Sequence, residues 1–281
     1  DDAIPAATLI VVRDRADGPP ELLMVERSEG MAFAAGALVW PGGRIDEADR
    51  KLGEQLSIDP HAIAAIRETA EETAVPIGLE PIPDYESALT LQRKLIADKP
   101  LADALADTGC RIDASALTPF ARWVPKFHAI RRFDTMFFVA ECPSGDWEPR
   151  VIEGECAGAY WLTAKEALAR EARGEARLIF PTRRNLERLA QHSSFAEIRA
   201  DALAHPIEPV TPWVEEREGE KFITIPSHLG YPVTEERLDG LWRGTQLPEH
   251  TGGGRQTAAR NAAGRGNHAQ LGDADVERRI A

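Results

Sequence analysis

Arg67, Glu68, Glu71 and Glu72, in the run R-E-T-A-E-E-T-A-V, are the residues of this chain whose types and spacing could do chemistry. At about 3.6 residues per helical turn, Glu68, Glu71 and Glu72 project from one side, while Ile63, Ile66, Ala70 and Thr73 fall on the other and can bury. Like charges at this spacing repel by ~0.2–0.5 kcal/mol per i,i+4 pair. Arg67 offsets part of that repulsion at i,i+4 to Glu71, and a divalent cation would offset the rest. Hard oxygen ligands, with no sulfur or imidazole nearby, suit Mg2+ or Mn2+ rather than zinc. The bland alternative is a solvated acidic face, which is what charge runs on helices usually are. The stretch just upstream alters the balance. Trp40-Pro41-Gly42-Gly43 is a turn whose glycines let a backbone carbonyl or amide approach a ligand closely. A strand, a Gly-Gly turn and an acidic helix together build a metal–phosphate site.

Other elements must position these residues. Residues 6–13 (A-A-T-L-I-V-V-R) read as a buried strand, 14–20 as a turn through D-G-P-P, and 21–27 as a second strand, so the pair forms a hairpin. Arg27 ends that hairpin, either pointing into a cleft or as a surface charge. A short strand at 37–40 delivers the chain to the Gly-Gly turn, and 44–58 reads as a surface excursion. The acidic helix starts at Asp59-Pro60, serving as N-cap and N1, and Pro76 ends it. Residues 84–107 form two helices broken at Lys99-Pro100, read as a lid or an oligomer contact; the latter would make a homodimer.

Strands follow at 117–127 and 134–141. Between them, Arg131 and Arg132 are adjacent arginines in an acidic chain, suited to a phosphate or simply a basic hairpin tip; His128 reads as a solvent-facing loop residue. Residues 144–158 are a loop that contains Glu153 and Glu155. A strand at 159–162 leads to Thr163, which caps a helix with Glu166 at N3. Helices at 180–190 and 194–204 precede a proline-rich extended segment, 206–233, with a small hairpin packed on the core by Trp213 and Phe222. The glycine-rich, polar residues from 251 to 281 read as disordered.

The 281 residues are 43% hydrophobic, enough for a real core, and carry a net charge of −13, which disfavours nucleic acid and anionic membranes as partners. Three widely spaced cysteines give neither a disulfide framework nor a zinc pattern, and fit a reduced compartment. No apolar run approaches the ~20 residues that span a bilayer. The start, Asp1-Asp2, does not read as a signal peptide. The expected location is the cytoplasm.

At Gly43, Arg67, Glu68, Glu71, Glu72 and Val75 the chain resembles the Nudix hydrolases, whose box runs G-x5-E-x7-R-E-U-x-E-E-x-G-U, with U aliphatic. It departs from that pattern in several places. Asp49 stands at the first acid, Thr69 at an aliphatic position and Ala74 at the late glycine; the spacer, residues 50–66, is seventeen residues instead of seven. The resemblance covers residues 6–205. It implies an α/β/α sandwich with a mixed sheet, here in a hydrolase domain at 1–205 with a helical insertion at 84–107. A C-terminal extension at 206–250 and the 251–281 tail would follow. It implies hydrolysis of a diphosphate linked to another group, with Mg2+ or Mn2+ held by Glu68, Glu71, Glu72 and the Gly42 carbonyl. Arg67 is expected to hold the carboxylates through a buried ion pair to Asp49 or Glu71. The general base is Glu71 within the box, or Glu155 outside it, with Glu153 second.

The long spacer, the R-F-D-T segment at 132–135, Leu22-Leu23 ahead of Arg27, and Gly36-x3-Trp40-Pro41-Gly42-Gly43 resemble the interrupted-box branch that cleaves coenzyme A and acyl-coenzyme A. Ala32 stands where that signature has an arginine. The branch implies 3′,5′-ADP and (acyl-)4′-phosphopantetheine as products, with Arg27, Arg44, Arg131 and Arg132 as candidates to bind the phosphates. The alternatives are ADP-ribose or a nucleotide sugar as substrate, or a non-catalytic Nudix-fold binding module.

Overall fold

The computed structural model describes residues 3–28, 36–125, 132–151 and 156–238. In chain order the strands and helices are β1 (Ile4–Arg13), β2 (Glu21–Arg27), β3 (Leu38–Val39), β4 (Gly42–Arg44), α1 (Glu47–Leu56), α2 (Pro60–Thr73), β5 (Leu79–Glu80), α3 (Tyr85–Ile96), α4 (Leu101–Leu105), β6 (Arg111–Ile112), β7 (Thr118–Trp123), β8 (Phe133–Glu141), β9 (Cys156–Thr163), α5 (Ala164–Ala172), α6 (Phe180–Leu189), α7 (Phe195–Ala204), β10 (Pro209–Val210), β11 (Trp213–Arg217), β12 (Glu220–Thr224) and β13 (Glu235–Arg237).

β1 is apolar on both faces and lies in the middle of a mixed sheet of order β10-β7-β8-β1-β2-β3, with β4 added to β1 and β9 added to β2. It runs parallel to β8 and antiparallel to β2. Successive strand residues point to opposite faces, so each face has its own core. Ala7, Leu9, Val11 and Leu23 pack with Ile63, Ile66 and Ala70 of α2 and Leu91 and Leu95 of α3. Ile10, Val12, Leu22 and Met24 pack on the other side with Leu186 and Leu189 of α6 and Ile198 of α7. The architecture is the α/β/α sandwich expected. Among the described residues no helix is long and apolar enough to cross a membrane.

The structure corrects several boundaries. The stretch at 44–58 is not an excursion but holds α1, started by a capping box in which Asp49 N donates to Asp46 at 2.6 Å and Asp46 N to Asp49 at 3.0 Å. An aspartate at N3, where Glu or Gln is usual, hid that signal. α2 stops at Thr73, three residues before Pro76, because Ala74 turns left-handed at φ 61°. The helices at 84–107 form as expected, with the break at 97–100, yet neither is a lid. Ala88, Leu91 and Leu95 of α3 and Leu101, Ala104 and Leu105 of α4 are buried in the α2-side core. At Thr163 only half of the capping box forms: Glu166 N donates to Thr163 Oγ1 at 3.1 Å, while the Glu166 carboxylate pairs with Arg170 and Arg173. In the C-terminal segment Trp213 is 44% exposed, and Phe222 is stacked by Arg217 5.1 Å from its ring centre. Packing on the core falls instead to Val210, Ile225, Leu229 and Tyr231.

Candidate active site

The site lies where the sheet splits. At its C-terminal end β1 pairs with β2, Val12 opposite Leu22; at its start it pairs with β4, Ala7 opposite Gly43. β2 diverges there to take β3 as its neighbour. The chain between β3 and β4 crosses from one strand to the other, anchored where Leu9 N donates to the Pro41 carbonyl at 2.9 Å. Bulk is excluded from the crossing. A Cβ on Gly42 would sit 2.8 Å from the Thr8 Cα, and one on Gly43 would overlap the Glu68 carboxylate. β4 therefore lies directly against α2.

α2 has Asp59 as N-cap, bonding His61 N, and Pro60 in its first turn. Ala62 to Ile66, Thr69, Ala70 and Thr73 are buried, and the acids face the split. The polar Thr69, at an aliphatic position of the box, is fully buried because its hydroxyl donates to the Ala65 carbonyl at 2.7 Å. Glu68 and Glu71 are mostly covered, at 16% and 15% side-chain exposure. Arg67 organises them. Its Nε and Nη2 donate to the two oxygens of Asp49 at 3.0 and 2.9 Å, Nη2 also to the Arg44 carbonyl at 3.0 Å, and Nη1 to Glu68 at 2.8 Å. Glu71 lies 3.7 Å from Nη1. Both anticipated partners, Asp49 and Glu71, thus sit on one guanidinium. Burial alone would lower the Arg67 pKa, but the charges and hydrogen bonds of Glu68 and Asp49 raise it, so it stays protonated. Burial raises the Asp49 carboxyl, against the opposing pull of Arg67. The Glu72 carboxylate is tied to β4 instead, accepting from Gly42 N at 3.3 Å.

Among the described residues no three acidic, histidine or cysteine side chains converge as a closed metal cluster. The donors nonetheless fit Mg2+ or Mn2+ in kind. They are mostly covered carboxylate oxygens, and the single charge of Arg67 leaves two of the three carboxylates around it uncompensated, set against a glycine backbone that leaves no side chain in the way.

The strand registers bring Arg27, Arg44 and Arg132 to one end of the sheet. Arg44 pairs with Ala6, Phe133 next to Arg132 pairs with Ile4, and β2 runs past Leu22 toward the same end. Arg27 ends β2, where the pairing with β9 shifts register between Glu26 and Arg27. It is only 8% exposed, and among the described residues its Nε and Nη2 have no hydrogen-bond partner. The sequence could not reveal that burial, because E-L-L-M-V-E-R is apolar on both faces. Trp40, in contrast, belongs to the opposite core, edge-on to Phe137 at 6.2 Å, and so is a packing residue. Burial pushes the Cys142 thiol up to about 11, away from the thiolate that a nucleophile needs. Arg131, His128, Glu153 and Glu155 lie outside the described residues. Gln92, buried on α3 and bonded to the Glu71 carbonyl, had no signal in the sequence beyond a polar residue on an apolar helix face.

No protein-family model matches the chain. The curated protein nudix hydrolase 7 of Caenorhabditis elegans is 26% identical over 208 residues, or 72% of this chain and 66% of that protein. The chain thus spans just under two thirds of the length of that relative. A crystal structure of a NUDIX hydrolase from Alicyclobacillus acidocaldarius superposes with a TM-score of 0.58 at 26% identity, over 71% of this chain and 96% of the other. A mixed sheet between helical layers, split where a glycine turn meets an acidic helix, defines the Nudix fold. With the box residues assembled on that frame, the chain is similar to the Nudix hydrolases in both sequence and fold.

Proposed function

We propose that this protein hydrolyses a diphosphate linkage with Mg2+ or Mn2+ bound, and that its substrate is coenzyme A or an acyl-coenzyme A. The observation that carries the reaction class is the contact of Gly43 with the Glu68 carboxylate, beside Glu71 and Glu72 on one side of α2. Water adds to one phosphorus, the bridging P–O bond breaks, and its electron pair leaves with the departing phosphate. The proton of the water passes to a carboxylate: Glu155, then Glu153, outside the box, or Glu71 within it. Whichever acts must lie within hydrogen-bond reach of that water. Glu68, Glu71, Glu72 and the Gly42 carbonyl would hold the metal, and the bound ion would supply neutralisation of phosphate oxygens. Arg67 keeps the carboxylates in register.

The coenzyme A reading is supported by the Leu22-Leu23…Arg27 and Gly36…Trp40-Pro41-Gly42-Gly43 resemblances and by the buried Arg27, whose Nε and Nη2, without a hydrogen-bond partner among the described residues, suit a phosphate. Arg27, Arg44, Arg131 and Arg132 are assigned to the diphosphate and the 3′-phosphate. The test is turnover of coenzyme A, ADP-ribose, a nucleotide sugar and a dinucleoside polyphosphate at equal Mg2+. Coenzyme A should give the highest kcat/KM, with 3′,5′-ADP released, and EDTA should abolish turnover. Glu72→Gln should lower the rate by about 10² with folding unchanged. A tenfold advantage for ADP-ribose, ~1.4 kcal/mol in transition-state binding, would replace coenzyme A. Absence of any turnover would make the protein a binding module.

A further inference from the structure

The last turn of α2, which holds Glu71 and Glu72, leaves carbonyls without donors from its own helix. Ala74 N answers Ala70 at 3.0 Å, and Arg150 N, from the segment after β8, answers Thr73 at 2.8 Å. The Glu71 carbonyl is answered by a side chain: Gln92 Nε2 of α3 donates to it at 3.0 Å and to the Arg150 carbonyl at 2.6 Å. One amide nitrogen thus spends both protons joining the acidic turn to residue 150. Gln92 is only 2% exposed, on the same helix face as Ala88, Leu91 and Leu95. Leucine would fill that place without the desolvation of an amide, so the amide is favoured by its two acceptors. Tyr85 of α3 gives the same segment a second hold. Its ring tilts over Trp147 at 6.1 Å, and its hydroxyl lies 3.5 Å from the Glu148 carbonyl.

We propose that Gln92 is a positioning residue for the reaction. It touches neither substrate nor metal, and it fixes the turn carrying Glu71 and Glu72 against the segment at 147–150. This assignment rests on the diphosphatase reading above. Two donors are required: an ionised carboxylate offers none and an alkyl group offers none. Gln92→Glu therefore keeps the shape and loses the function, which separates donation from packing.

The experiment compares Gln92→Leu, Gln92→Glu and a control, Leu189→Ala, which weakens the core on the opposite face of the sheet. All are assayed well below their melting temperatures. Both Gln92 variants should lose about tenfold or more in kcat with KM unchanged, the scale of a small misplacement of catalytic groups. Amide hydrogen exchange at Arg150 and Ala74 should quicken by at least tenfold in both, and in the control neither kcat nor exchange at these amides should change. Near-wild-type kcat in Gln92→Leu, or an equal loss in Leu189→Ala, would overturn the proposal. If the wild type itself turns over no diphosphate, the functional reading fails. The exchange measurement still decides the link, and unchanged protection at Arg150 refutes it.

Discussion

Asp49 does two jobs with one carboxylate. It closes the capping box of α1 and accepts both near-side hydrogen bonds of Arg67, from a position only 1% exposed. Asp49→Asn keeps the shape and can keep an oxygen for Asp46 N, but leaves the Arg67 guanidinium without its bidentate partner. Breaking one side of a buried pair costs about 3 kcal/mol or more, less whatever Glu68 recovers. Urea unfolding should show a midpoint shift of that order with an unchanged slope; a shift below a few tenths of a kcal/mol would mean that Arg67 is held by Glu68 and the Arg44 carbonyl alone. The same residue marks where reading from sequence ran short. The pattern of acids on α2 was legible, because its spacing is local and Asp59-Pro60 marks its start. The partner of Arg67 stood as two candidates, since Asp49 is 18 residues away and Glu71 only four.

α2 ends on an alanine where the family box has glycine, and that alanine takes φ 61°. A left-handed non-glycine residue costs roughly 1–2 kcal/mol. Ala74→Gly relieves that strain, but loosens the unfolded chain by about 0.4–1 kcal/mol and gives up a buried methyl worth about 0.8 kcal/mol. The terms nearly cancel, so its stability should stay within about 1 kcal/mol of wild type. Ala65→Gly, buried in the middle of the same helix, has no strain to relieve and should cost clearly more. Equal losses in thermal unfolding of the two variants would show that the turn is unstrained. Among elements, legibility followed the strength of the periodic signal. β1, β2, α2, α6 and α7 carry it. α1 has only Leu52 and Leu56 to offer in a polar run. The place of α3 depends on Gln92 meeting carbonyls 21 and 58 residues away, which no local pattern contains.

On the scale of the whole molecule, the segment after α7 completes the second core. Tyr231 bonds Trp123 Nε1 at 2.9 Å and Asn185 at 2.9 Å, and Arg183 of α6 pairs with Glu236 of β13 at 2.9 Å and Glu171 of α5 at 2.7 Å. Fully burying a large apolar side chain contributes roughly 1.5–3 kcal/mol, so losing Val210, Ile225, Leu229 and Tyr231 removes a sum comparable with the ~5–15 kcal/mol stability of a domain. A chain ended at residue 205 should therefore lose its near-ultraviolet circular dichroism and cooperative melting; a sharp transition within a few degrees of the full chain would show that the extension is dispensable. The lengthened spacer between Asp49 and Arg67 has a different consequence. Bringing those two residues together closes a loop of 18 residues, against eight for the shorter spacer of the family pattern. Loop-closure entropy grows only with the logarithm of length, so the extra ten residues cost about 0.7 kcal/mol, a sum that the helix they form can return through Leu52 and its cap. Contour length between the two halves of the motif is thus a soft variable, and the bidentate contact is the stiff one.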